Sequence, residues 1–165
     1  MLIKEFVEGF ENARDKGNYV NKHISTFYLP FEKKVSLAQS IVNSSSYKII
    51  NKSKTYVKDS TLKYVLMMLT LVQNYTDIEL SEDAKLNDFD ALERIGFFEV
   101  LVESLSVEYE RFKTVLLMVS EDIESIELNL VSYIERKLSM FMTLSKDIDV
   151  SRIKDVIENV TRDKG

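Results

Sequence analysis

The chain has 165 residues, 45% of them apolar, with no cysteine, one histidine and a formal net charge of −5. That length suits about one domain with an enclosed core, and the lack of cysteine excludes disulfides, thiolate metal sites and a cysteine nucleophile. The charge is divided: residues 1–76 hold 11 Lys/Arg against 6 Asp/Glu, and residues 77–165 hold 11 against 21. Halves of opposite sign attract each other, either inside one fold or head to tail between subunits.

In chain order, Leu2, Ile3, Phe6, Val7, Phe10 and Ala13 recur at the spacing of an amphipathic helix, which is expected to end near Lys16 with Gly17 closing it. Apolar residues there alternate with Glu, Asn and Arg, so the amino terminus reads as mature structure and not as a secretory signal. Val20, Ile24 and Phe27 mark a short helix or ordered turn. Pro30 holds Leu29 extended and then opens a helix whose buried stripe is Phe31, Val35, Ala38, Ile41 and Val42, ended by Asn43 and the serines at 44–46.

Residues 47–58, YKIINKSKTYVK, carry the strongest β signal: two β-prone runs around a polar Asn51-Lys-Ser-Lys54, predicted as a hairpin with a four-residue loop. The stretch 62–72, LKYVLMMLTLV, is apolar all round and predicts a central buried helix, with Asp59, Ser60 or Thr61 as its cap. Its span of about 17 Å is too short for a bilayer. Leu86, Phe89, Leu92 and Ile95 share a helical face, and Gly96 separates them from a second short helix bearing Phe97, Phe98, Leu101, Val102 and Leu105.

Ser106 can cap the next helix, with Glu108 and Glu110 in its positive first turn. From Val107 to about Leu144 there is no glycine or proline, and Phe112, Leu116, Val119, Ile123, Ile126, Leu130 and Tyr133 recur four and three apart, followed after a shift by Ile134, Leu138 and Phe141. A helix of that length runs roughly 55 Å, longer than a domain of this size is wide. Either it breaks near residues 121–125 or one end finds cover outside the subunit. Ile153, Val156, Ile157 and Val160 give an apolar edge to a short terminal helix, each worth about 1.5–3 kcal/mol if buried. Within a single helical domain spanning 1–165, residues 148–165 are therefore expected to dock, on their own subunit or on a neighbour.

The expected fold is mainly α: an irregular multi-helix bundle around the central helix 62–72, with one small β-hairpin at 47–58. The chemistry is sparse. His23 alone cannot supply a His–Asp triad, an HExxH zinc site or a di-iron pair, and reads as a packing residue. Asp83, Asn87, Asp88, Asp90 and Glu93 lack the glycine and spacing of a calcium loop, and the acidic run Glu121, Asp122, Glu124 and Glu127 reads as a solvated helix face. Four glycines at 9, 17, 96 and 165 cannot form a phosphate loop. No catalytic residue, cofactor or metal is expected. Lys48, Lys52, Lys54, Tyr56 and Lys58 on the hairpin are candidate partner contacts, as are Ile153, Val156, Ile157 and Val160 on the tail. Lysines interleaved with tyrosines also suit nucleic acid, the less favoured partner, because the chain is acidic and this stretch has no arginine.

Tyr19-Val-Asn-Lys-His-Ile24, Tyr28-Leu-Pro-Phe-Glu-Lys-Lys34 and Tyr75-Thr-Asp-Ile-Glu79 resemble segments of small proteins encoded by phages and prophages of Gram-positive bacteria. The resemblance implies a virion structural or assembly protein with protein partners, and it carries over no functional residue. The expectation is a non-enzymatic assembly or adaptor protein, a homo-oligomer or a partner of other proteins, in the host cytoplasm or the virion and not at a membrane. The alternative is a small regulatory or inhibitory binder that grips a host protein or nucleic acid through the hairpin.

Overall fold

The computed structural model describes residues 1–50 and 53–144. The chain divides into two compact units, Met1–Asp122 and the part beginning at Ile123. Among the described residues are seven helices and two strands: α1 (Ile3–Asn12), α2 (Lys16–His23), α3 (Phe31–Ser46), β1 (Tyr47–Ile50), β2 (Ser53–Tyr56), α4 (Ser60–Tyr75), α5 (Lys85–Arg94), α6 (Phe97–Leu105) and α7 (Val107–Leu144). This is the mainly helical bundle with one hairpin that the periodicity predicts.

Local chemistry places the boundaries. The Asp15 carboxylate accepts the Asn18 N–H at 2.9 Å and starts α2 at Lys16, so α1 stops at Asn12 and Gly17 lies inside α2 instead of closing α1. Pro30 stands at the N-cap of α3, as expected. The serines do not end that helix: Ser45 Oγ donates to the Ile41 carbonyl at 2.8 Å, and helix persists to Ser46. Asp59 is the cap of α4, accepting the Leu62 N–H at 2.9 Å. Gly96, at φ 70°, separates α5 from α6.

The hairpin is antiparallel, with Tyr47 opposite Tyr56 and Ile50 opposite Ser53. Pairing therefore takes in Ser53 and Lys54, which the sequence reading assigns to a longer loop. The Tyr47 and Tyr56 rings meet edge to face at 5.8 Å, and such cross-strand aromatic pairs hold register.

In the first unit, α3 packs on α4, α2 on α6, and α5 on both α4 and α6. The core is aromatic on one side, where Phe6 meets Phe97 edge to face at 5.0 Å and the Phe6, Phe10 and Tyr19 rings cluster. On α4 burial begins at Met67 and continues through Leu71, Val72 and Tyr75, whereas Tyr64 is exposed. The central helix is thus enclosed along its second half and not on every side throughout. Its exit is tied down by backbone pairing: Ser25 N–H donates to the Tyr75 carbonyl at 2.8 Å, Asp77 N–H to that of His23 at 3.0 Å, and Glu79 N–H to that of Met1 at 2.8 Å.

On α5, Leu92 is buried and Phe89 packs on Phe98 as expected, but Leu86 faces outward and Asp88 inward. Asp88 accepts Ser81 N–H at 2.6 Å and Ser81 Oγ at 3.2 Å, so a carboxylate braces the preceding connector from the buried side. α7 runs from Val107 to Leu144 without the break considered near 121–125. Phe112, Val115 and Leu116 are buried, while Ile126 and Ile134 are 68% and 48% exposed. Among the described residues, no helix is long and apolar enough to cross a membrane.

Candidate functional site

Lys34 lies on the same face of α3 as Ala38 and Ile41, and Glu108 lies one turn before Phe112 on α7. Helical periodicity therefore carries both charges into the interior, where each side chain is only 5% exposed and Nζ sits 2.7 Å from Oε1. The same oxygen accepts the Leu29 N–H at 2.9 Å and the Tyr75 hydroxyl at 3.0 Å. One carboxylate oxygen thereby joins the α2–α3 connector, α3, α4 and α7.

Burial opposes ionisation of Glu108, but the Lys34 ammonium, Leu29 N–H and Tyr75 hydroxyl outweigh it and hold the carboxyl below its ordinary range. Burial, then the neighbouring carboxylate, pushes the Tyr75 phenol upward. The other carboxylate oxygen, Oε2, is buried and has no hydrogen-bond partner among the described residues, and Arg111 Nη1 lies 3.9 Å from it.

Above this network opens an apolar groove of about 390 Å³. α7 contributes Val107, Glu110, Arg111, Thr114, Val115 and Met118, and the first turn of α3 contributes Phe31 and Lys34. Three of its apolar residues face water: Phe31 is 65% exposed, Val107 61% and Met118 57%. Tyr28 flanks it, with Lys34 Nζ 4.9 Å from its ring centre. On the rim, Glu110 pairs with Lys113 at 3.7 Å. Three large apolar side chains are thus exposed around one groove.

The candidate contacts named from sequence fall elsewhere. Lys48 pairs with Asp59 at 3.1 Å, and the Leu62 N–H together with that ammonium holds the Asp59 carboxyl below its usual range. Tyr56 packs against Tyr47, and Lys58 also has a partner, so these three residues are engaged within the fold. Lys54 lies in β2, while Lys52 and the tail residues Ile153, Val156, Ile157 and Val160 lie outside the described residues. Ile49 and Ile50, which project from the hairpin, are the exposed apolar residues there.

His23 packs on Tyr19 and Phe6 at 4.9 and 5.3 Å between ring centres, and its Nδ1 meets Asp77 Oδ1 at 3.0 Å. It occupies a structural position. Among the described residues no three His, Asp or Glu side chains gather where a metal could be held. A second depression of about 440 Å³, bordered by Ile3, Lys4, Glu8, Asp88 and Arg94, is lined by residues of both charges, and its buried carboxylate is already used by Ser81. No protein-family model matches the sequence, and no curated protein or solved structure matches it either.

Proposed function

We propose that this is a non-enzymatic assembly or adaptor protein that acts through protein–protein contacts, as the resemblance to phage-encoded assembly proteins implies. The observation that carries the reading is the groove between α3 and α7, where Phe31, Val107 and Met118 are all more than half exposed. The buried Lys34–Glu108 pair supports the same reading, because it fixes the two walls against each other. A preformed groove loses little entropy when a partner arrives.

A photo-crosslinking side chain in place of Phe31, introduced in expressing cells, tests this. The expected result is a covalent adduct with a polypeptide, absent when the probe replaces Leu86, which is equally exposed on α5. Adducts no more frequent from position 31 than from position 86 would remove the groove from consideration.

A further inference from the structure

We infer that α7 of a second copy lies antiparallel in this groove about a two-fold axis, so that each copy fills the groove of the other. This rests on the assembly reading above and names its partner. Every residue involved belongs to the first compact unit.

The stripe that α7 presents to the groove reads the same in both directions. Val107, Arg111, Thr114 and Met118 follow one another at steps of four, three and four residues, polar in the middle and apolar at both ends. Reversing the helix therefore sets Val107 on Met118 of the copy and Arg111 on its Thr114, twice over. The Thr114 hydroxyl donates to the Glu110 carbonyl at 2.8 Å and keeps a lone pair for the arriving guanidinium. Two helices already form the walls, and a third laid between them packs its ridge into their groove.

Charge admits a copy and gives a partner of one sign no advantage. The exposed groups around the groove are Glu32 and Glu110 against Lys33, Arg111 and Lys113, so neither sign prevails. A strongly acidic or strongly basic partner meets repulsion from part of this rim, whereas a copy carries both signs to answer it.

At roughly 200 Å² for a large side chain, Tyr28, Phe31, Val107 and Met118, all more than half exposed, offer on the order of 400 Å² of apolar surface per copy. Two copies with their polar rims come close to the ~1,000 Å² at which specific interfaces begin. The contact is isologous and closes at two copies, and its modest area means that the pairs separate on dilution.

Mass in solution is measured across a concentration series. The wild type should pass from one copy to two and stop there. Met118→Glu, at an exposed position, should keep the melting temperature and associate at least tenfold more weakly. If it lowers the melting temperature, Phe31→Asp takes its place. The chain has no cysteine, so introduced thiols report the register. On oxidation, an equimolar mixture of Val107→Cys and Met118→Cys should give disulfide-linked pairs holding one chain of each. Either variant alone should give few, because the two copies of one position stand about 16 Å apart along the helix, beyond the reach of a disulfide.

A wild type that stays single, or grows past two copies, overturns the inference, as do thiol variants that link to themselves as readily as to each other. A position-31 adduct with a different polypeptide overturns it while leaving the assembly reading intact. No specific adduct from position 31 removes both.

Discussion

Lys34 and Glu108 come from helices far apart in sequence, yet their charged atoms meet at 2.7 Å with both side chains 95% shielded from water. Breaking such a pair from one side strands a buried charge, which costs about 3–5 kcal/mol. Glu108→Gln is therefore expected to lower the unfolding free energy by about that amount in a denaturant titration. Adding Lys34→Met should recover part of the loss, because the stranded ammonium is then gone. If the double variant loses the sum of the two single losses, the pair is not coupled as its geometry implies.

The acid limit of stability follows from the same carboxylate. Its folded pKa lies below the unfolded value of about 4.3, so the folded state releases this proton more readily. The stabilisation is complete above the unfolded pKa and is lost as pH falls through the folded one. Asp59 contributes with the same sign, which makes the wild-type curve alone ambiguous. Comparing wild type with Glu108→Gln from neutral to strongly acidic pH isolates the term: the gap between them should narrow as pH falls below about 4. A gap that is constant with pH would contradict it.

Gly9 lies in the middle of α1, where alanine would ordinarily improve helix stability by about 1 kcal/mol. A Cβ there would stand 2.8 Å from the Tyr19 Cζ and closer still to its hydroxyl. The Tyr19 ring is held by Phe6, Phe10 and His23 and has little room to retreat. Gly9→Ala is expected to destabilise by about 1–3 kcal/mol through overpacking. Tyr19→Ala in the same chain should turn the alanine at position 9 from harmful to favourable, which thermal melts of the four variants would register.

Ser106 joins α6 to α7 at φ 46°, a conformation unfavourable for any residue with a Cβ. Its N–H donates to the Val102 carbonyl at 2.8 Å, and its own carbonyl accepts the Glu110 N–H at 3.3 Å. The backbone thus closes one helix and opens the next, so the residue holds the cap position read from sequence at the expense of strain. Ser106→Gly should raise stability by about 1 kcal/mol, reduced by the freedom glycine adds to the unfolded chain. A lower melting temperature would mean that the hydroxyl outweighs the strain.

Periodicity and capping residues made most of the fold legible. Asp59, Pro30 and Gly96 each stand where their chemistry predicts an element should start or end. Three of the misplacements come from a polar side chain that finds its partner inside the protein. Ser45 bonds back to its own helix, Asp15 starts a helix where Gly17 would end one, and Asp88 turns inward to reach Ser81. The groove is not legible in the sequence because its walls come from α3 and α7, far apart in the chain, and because Phe31, which periodicity assigns to the buried stripe of α3, is exposed. One signal was present: Lys34 falls on the buried stripe of α3, and a lysine there calls for an acid from elsewhere. Nothing local says that the acid is Glu108, since Glu108 also fits an ordinary helix first turn.

Whether protein covers the groove at Met118 in solution is reported directly by the methionine methyl groups. Met118 is 57% exposed, whereas Met67 and Met68 are buried in α4 and serve as internal references. Methyl-labelled protein is followed by NMR through a dilution series, alongside Phe31→Asp, which alters the groove at an exposed position. The Met118 signal of the wild type should shift and broaden as concentration rises, while Met67 and Met68 hold still and the variant shows no change. A Met118 signal that stays sharp and fixed throughout, in the wild type as in the variant, would contradict association through this groove.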